Sequence, residues 1–395
     1  VIMSILMIVP ALVAFLESDY FVAKTFLYSS CAGIIVYTLI AIALSNVIKV
    51  QNNFEKLLSF ILSYLFLPIF MALPLVLSMA EVSLIDAWLE MVSSFTTTGL
   101  NITNLETFSS NALHLWHGMV SWIGGIFFWI CAISILLPLN ISRFEIGDND
   151  LVGRSRMKGY ESVDSILSNA RHLIPIYLII TIALWLFLTL AGVSGFQALL
   201  MAMSVISTSG FHLMENEVPN VFLIEGIILI FFVFALSKSL FFRDINDIRK
   251  FRIFNDPEIR LALIITLAVT GLFFTKSLYV LLSESTDINI VVLLTHFWGI
   301  FFSVISYLVT MGVESKVWFD LPSFALAEVS TVSVMGLAMI GGGVATTAGG
   351  VKLLRVYILY RNAAQEVDMM LHPNSIPSKK GKGSISDNRN NRLMA

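Results

Sequence analysis

The chain has 395 residues, of which 57% are hydrophobic and 13% charged, and its mean hydropathy is +0.85. Soluble domains carry roughly 45–50% apolar and 25% charged residues, so a soluble enzyme, a disordered scaffold and a nucleic-acid reader built on a basic surface are excluded. The net charge of −3 says little as a total, because in a membrane-embedded chain the division of charge between the two faces carries the information.

At roughly 20 apolar residues per crossing, the length admits about eight or nine membrane spans. Apolar runs fall at 1–16, 27–47, 57–80, 113–139, 172–191, 219–241, 260–282 and 322–360, with shorter pieces at 84–95, 196–206 and 291–308. The shorter pieces predict re-entrant half-helices or buried core helices. If the first end lies inside and each short piece enters and leaves on the outer side, 21 of the 24 Lys and Arg residues face the cytoplasm; only Lys24, Lys276 and Lys316 lie outside. That is the positive-inside bias of a multi-pass protein in lipid. The outer segments hold acids such as Glu17, Asp19, Asp86, Glu314 and Asp320. Either bases are excluded from that face, or an acidic mouth concentrates cations there. Cys31 and Cys131, both in apolar runs, read as buried free thiols. Trp88, Trp116, Trp298 and Trp318 read as interfacial belt residues, and His114, His117 and His296, which lack metal-ligand spacing, as interfacial packing.

Each short piece ends in a polar turn with a glycine: Thr96-Thr97-Thr98-Gly99-Leu100, Ser207-Thr208-Ser209-Gly210-Phe211 and Val309-Thr310-Met311-Gly312-Val313. Aligned on the glycine, all three carry Thr two places before it and Ser six places before it (Ser93, Ser204, Ser306), and the glycines are 111 and 102 residues apart. A period this long marks repeated modules of span, half-helix, turn and span. The division it predicts is an opening two-span region at 1–52, pore repeats at 53–145, 146–250 and 251–365, and a cytoplasmic linker at 366–395. Ser/Thr-Gly turns also end ordinary helices, but three in one register need a common cause. A cation stripped of water in a membrane can be held by backbone carbonyls, and unwound backbone at that depth survives only where protein or water surrounds it. Both chain ends read as internal, and extending the period places a fourth glycine at roughly 414 to 423.

The last apolar run is too long for one helix and contains Gly341-Gly342-Gly343-Val344-Ala345-Thr346-Thr347-Ala348-Gly349-Gly350-Val351-Lys352, five glycines in ten residues. Each costs about 1 kcal/mol against alanine in a helix, so the helix breaks here, and a loop at that depth is a gate candidate. A phosphate-binding loop would need Gly-Lys-Ser/Thr in sequence after a strand. Close helix packing would need spaced glycines instead of paired clusters.

At these residues the chain resembles the Trk/Ktr/HKT superfamily of cation transporters, most closely the TrkH-type potassium-uptake subunit. The likeness runs through the opening spans, Thr97-Thr98-Gly99, Trp122-Ile123-Gly124-Gly125, the Ser207–Phe211 turn, the Gly341–Lys352 loop and His372-Pro373-Asn374. The resemblance implies an all-α polytopic membrane protein with a pseudo-fourfold pore, three of whose four repeats lie in this chain. It also implies a potassium filter at Thr97, Thr98, Gly99, Thr208, Ser209, Gly210, Thr310, Met311 and Gly312. Thr96, Leu100, Ser207, Phe211, Val309 and Val313 would flank the filter, and Gly341, Gly342, Gly343, Thr346, Thr347, Gly349, Gly350 and Lys352 would form the gate. Met311 stands where such proteins usually have a hydroxyl, and Val313 where they have an aromatic. K+ would be cargo, with no organic cofactor. A homodimer in a bacterial inner membrane, in contact with lipid and with a cytoplasmic nucleotide-binding regulatory subunit of the TrkA type, is implied too. A secondary transporter for another cation or solute, such as a sodium symporter, stays open as an alternative, as does a membrane enzyme or scaffold. The sequence presents no Ser-His-Asp set, paired catalytic carboxylates or cysteine-metal spacing, so enzymatic activity is not expected.

Overall fold

The computed structural model describes residues 1–45, 53–79, 82–103, 110–136, 163–211, 220–236, 256–283, 290–316, 323–343 and 346–371. His372-Pro373-Asn374 and the polar run 379–391 lie outside the described residues. The elements are helices: α1 (Ile2–Leu6), α2 (Ile8–Leu16), α3 (Tyr20–Ala43), α4 (Asn53–Ser78), α5 (Leu84–Phe95), α6 (Asn111–Cys131, continued by a π-turn at Ala132–Leu136), α7 (Val163–Leu190), α8 (Gly195–Ser207), α9 (Val221–Leu236), α10 (Pro257–Ser283), α11 (Ile290–Leu308), α12 (Ser323–Ile340) and α13 (Leu353–Leu371). Among the described residues five helices, in α3, α4, α6, α7 and α10, are long and apolar enough to cross a membrane. The first apolar run falls short of that length, as α1 and α2.

The outside of the bundle is apolar. Leu39, Ile42, Ile179, Leu190, Ile230, Leu272 and Met339 are all exposed, an arrangement that water would penalise and lipid does not. Cys31 belongs to this exposed surface; Cys131 alone is buried. Inside, buried apolar side chains form three clusters, and each includes residues of one short helix: Met91 and Phe95 of α5, Met201 and Val205 of α8, Val304 and Leu308 of α11.

The short helices start and stop for local reasons. Ser83 caps α5, accepting the Asp86 N–H at 3.1 Å while its hydroxyl donates to the Asp86 carboxylate at 2.6 Å, which ties up an orphan donor of the first turn. With 12 residues in α5 and 13 in α8, each rises about 18–20 Å, well under the bilayer's roughly 30 Å core. At 19 residues α11 is longer, so its length alone would not mark it as a half-helix.

Helix α6 passes against the ends of the first two short helices, and its glycine pair makes this possible. A Cβ at Gly124 would overlap the Phe95 carbonyl that ends α5, and one at Gly125 would stand 3.2 Å from Ser207 Cβ at the end of α8. Two tryptophans expected at the interface do other work. Trp88 and Trp116 donate their indole N–H to the carbonyls of Leu65 and Met71 at 3.1 and 3.0 Å. Both carbonyls belong to α4, which contains Pro68 and Pro74.

Candidate functional site

The three glycine turns have one backbone geometry. In each, the N–H of the residue before the glycine (Thr98, Ser209, Met311) reaches back to the carbonyl of Ser93, Ser204 or Ser306 at 2.9, 3.0 and 2.9 Å. The threonine before it (Thr97, Thr208, Thr310) donates to Ser94, Val205 or Tyr307 at 3.0, 3.1 and 3.0 Å. This pair of bonds is the Schellman closure of a helix end, in which glycine usually takes the left-handed residue. Here threonine takes it, with φ of 56°, 54° and 61°, and the glycines two residues on have φ of 80°, 74° and 74°. A left-handed β-branched residue costs roughly 1–2 kcal/mol. Its recurrence at three helix ends points to a demand made by function.

Each short helix with its glycine turn is termed a wall, numbered one to three in chain order; the serines six places before each glycine share a register in the sequence, and in walls one and three they hold the backbone just beyond the turn. Ser93 Oγ accepts the Leu100 N–H at 2.8 Å and donates to the Leu100 carbonyl at 2.9 Å. Ser306 Oγ accepts the Val313 N–H at 2.9 Å. Ser204 Oγ accepts from the Ser209 hydroxyl at 3.4 Å.

The turns meet one another. A side chain on Gly99 would run into the Ser209 carbonyl oxygen, and one on Gly210 into the Met311 carbonyl oxygen; at Gly312 it would meet no described atom within 4 Å. The three turns therefore stand in sequence, the first two glycines each facing the next turn's carbonyl. The Thr208 hydroxyl is buried and has no hydrogen-bond partner among the described residues.

The side chain at Met311 has a structural reason. In wall one the hydroxyls of Thr96 and Thr98 bond at 2.7 Å, and in wall two Ser207 donates to Ser209 at 3.0 Å. In wall three the same two positions are Val309 and Met311, both buried in one apolar cluster. A polar pair has been exchanged for an apolar pair, and the backbone turn is the same. We expect Met311→Ser alone to destabilise the protein by about 1–3 kcal/mol, because it buries an unpaired hydroxyl. The double change Val309→Ser with Met311→Ser should recover part of that loss. Thermal melting of both singles and the double in detergent reads the coupling, and strict additivity would contradict the pairing.

The broken last span comes back onto the turns. Gly341 and Gly350, with φ of 73° and 81°, press together so closely that a Cβ on Gly350 would stand 2.6 Å from Gly341 Cα. Val351, Lys352 and Leu353 then donate to the carbonyls of Met339, Ile340 and Gly342 at 2.8, 2.9 and 3.1 Å, closing the neck of the loop. Within it, Gly343 donates to the Ala235 carbonyl of α9 at 3.1 Å, Thr346 to Gly343 at 2.7 Å, Thr347 to the Ile206 carbonyl of α8 at 3.4 Å, and Lys352 Nζ to the Ala348 carbonyl. Gly349 N–H donates to Thr310 Oγ1 at 2.6 Å. The loop thus touches the ends of walls two and three directly.

Two buried acids, Glu90 and Glu225, escaped the sequence reading, and His117 was placed wrongly by it. Glu90, inside α5, accepts the N–H groups of Ile102 and Thr103 at 2.8 and 3.0 Å and stands 2.8 Å from His117 Nε2. His117, expected at the interface, is fully buried; it also lies 2.8 Å from Ser94 Oγ and packs edge-on against Phe211, ring centroids 4.0 Å apart. Glu225, inside α9, accepts the Trp298 indole N–H at 2.8 Å. The available signal was an acid inside an apolar helix, which in a membrane marks a polar interior.

Short helices that stop inside an apolar bundle and hand over to bare backbone are the build of a membrane transport protein. Residues 47–389 match the TrkH family, described as cation transport protein, and the chain belongs to that family. It is 26% identical over 381 residues to an uncharacterized cation transporter of Methanocaldococcus jannaschii, covering 95% of this chain and 72% of that one. It is also 26% identical over 322 residues to the Trk system potassium uptake protein TrkH of Escherichia coli K12, covering 78% of this chain and 62% of the relative. Its fold is similar to the crystal structure of the potassium transporter TrkH from Vibrio parahaemolyticus, with TM-score 0.75 and 23% identity over 98% of this chain and 77% of that one. The chain thus spans about two thirds of the length of the relatives it matches.

Proposed function

We propose that this protein takes up potassium across a bacterial inner membrane, through a filter of backbone carbonyls at the three glycine turns and under the control of the Gly341–Lys352 loop. The observation that carries this reading is the meeting of the turns: each of the first two glycines lies against a carbonyl of the next wall, so glycine is needed for the carbonyl-bearing turns to approach one another. Carbonyls supplied by rigid turns replace hydration water. The unpartnered Thr208 hydroxyl supports the reading, as does potassium uptake by the Escherichia coli relative. Family membership supports a cation in general; potassium, the inner membrane, a homodimer and a cytoplasmic nucleotide-binding regulator belong to the proposal.

The test is potassium-limited growth and rubidium uptake in a bacterial strain without its own uptake systems. The wild-type protein should rescue growth. Gly99→Ser and Gly210→Ser, each placing a side chain against a facing carbonyl, should each cut uptake by more than about tenfold, since overpacking of this kind costs roughly 1–3 kcal/mol. Undiminished rescue by both variants would sink the filter assignment, and uptake of sodium in place of rubidium would favour a sodium transporter.

A further inference from the structure

Beyond the carbonyl turns themselves, we propose that Glu90 and Glu225 are positioning residues for ion discrimination, each clamping the strand that leaves a glycine turn at the same two positions. This rests on the filter reading above. In wall one the clamped residues are Ile102 and Thr103, three and four places after Gly99, and both backbone N–H groups converge on one oxygen of Glu90. In wall three they are Ser315 and Lys316, three and four places after Gly312. There the Ser315 side chain and the Lys316 backbone bond to Glu225.

The two acids come from different places in the fold. Glu90 belongs to the short helix of its own wall, nine places before the glycine. Glu225 belongs to α9, the helix after wall two, and reaches across to wall three. The residue nine places before Gly312 is Ser303, whose hydroxyl accepts the Ser315 N–H at 3.1 Å. A serine is too short to collect both positions, and the carboxylate arrives from the neighbouring helix. Two separate solutions to one hydrogen-bonding problem argue that the strand beyond the turn must be held by a buried carboxyl group. Both carboxyl groups are fully buried; Glu90 uses both oxygens, one on the strand and one on His117, whereas Glu225 Oε1 has no hydrogen-bond partner among the described residues.

Each clamp also ties one wall to another. Glu90 contacts His117, and the His117 ring meets Phe211, the residue after Gly210. Glu225 joins α9 to Trp298 on α11. A strand displaced by a few tenths of an ångström would therefore shift carbonyl spacing in two walls, and carbonyl spacing is what separates a larger cation from a smaller one.

The experiment measures rubidium uptake and its competition by sodium for wild type, Glu90→Gln, Glu225→Gln, Glu90→Asp and Ser303→Ala, with membrane abundance and melting temperature followed in parallel. The glutamine changes keep the size of the side chain and replace one acceptor oxygen of the carboxyl group with an NH2 donor. They should lower rubidium-over-sodium discrimination by about tenfold, chiefly by raising the half-saturation constant for rubidium, while maximal rate stays within about twofold. Glu90→Asp should recover part of the discrimination. Ser303→Ala leaves every charge in place and should shift the same ratio by about two- to threefold. Should the glutamine proteins fail to accumulate, Ser303→Ala and Glu90→Asp decide the matter. Wild-type discrimination in every variant that accumulates overturns the clamp and leaves the filter reading standing; absence of rubidium uptake by the wild-type protein removes the filter reading itself.

Discussion

Gly341→Ala and Gly350→Ala should each open the neck of the loop and raise basal ion flux by at least about tenfold. A Cβ on Gly341 would fall on the Gly349 carbonyl and 2.7 Å from Gly350 Cα, and one on Gly350 would stand 2.8 Å from the Ala338 carbonyl oxygen. The obstacles are backbone atoms, which cannot swing aside as a flexible side chain could. Both residues also have left-handed φ, which adds roughly 1–2 kcal/mol for alanine to an overlap term of about 1–3 kcal/mol. Three backbone bonds from Val351, Lys352 and Leu353 close the neck, and relief of the overlap requires the two strands of the neck to part. The helices on either side are held by their own packing, with Leu337 of α12 and Leu353 of α13 in a buried cluster. The expected result is therefore a folded protein with an unlatched loop. Rubidium efflux from proteoliposomes under non-activating conditions, with hydrogen exchange at Val351–Leu353, reads both consequences. Unchanged efflux with unchanged exchange would mean that this neck does not hold the loop.

The features that were legible in the sequence are the local ones. The short helix at 84–95 was legible as an apolar run ended by a polar turn; the Ser83–Asp86 cap that starts it came from the structure. The break in the last span was legible because five clustered glycines have few other uses in an apolar run. The threonine two places before each glycine was visible too, although its left-handed backbone was not, since sequence favours glycine or asparagine there. What stayed hidden is contact across the fold. Gly124 and Gly125 belong to a recognisable motif, yet their use, the fit of α6 against Phe95 and Ser207, depends on where the first two short helices end. His117 reads as an interfacial residue until Glu90 is placed beside it, and Trp116 as a belt residue until the fold buries it against the Met71 carbonyl. Met311 looks like a departure from pattern until Val309 is read with it, for the hydroxyl pair of the other walls is replaced as a unit. Glu225 could be suspected from its helix alone; that it serves the strand after Gly312 could not.

The contact between the loop and the third wall leads to the other large expected effect. Thr310→Val should free the loop, whereas Thr310→Ser should not. The Gly349 N–H donates to Thr310 Oγ1 at 2.6 Å, and valine keeps the volume and branching of threonine while removing that acceptor. A lost hydrogen bond of this kind is worth about 0.5–1.5 kcal/mol net, so the loop's equilibrium should move toward the displaced form by roughly two- to tenfold. Serine retains the hydroxyl and should leave the equilibrium near that of the wild type. The same bond makes the effect reciprocal. If the loop's position changes the orientation of Thr310, and Thr310 belongs to the wall that holds the ion, then ion binding must bias the loop by the factor with which the loop biases ion binding. Hydrogen exchange at Gly349 should accordingly slow as potassium is raised in the wild type and in Thr310→Ser, and should lose most of that dependence in Thr310→Val. Equal potassium dependence in all three proteins would show that wall and loop act independently, however close they lie.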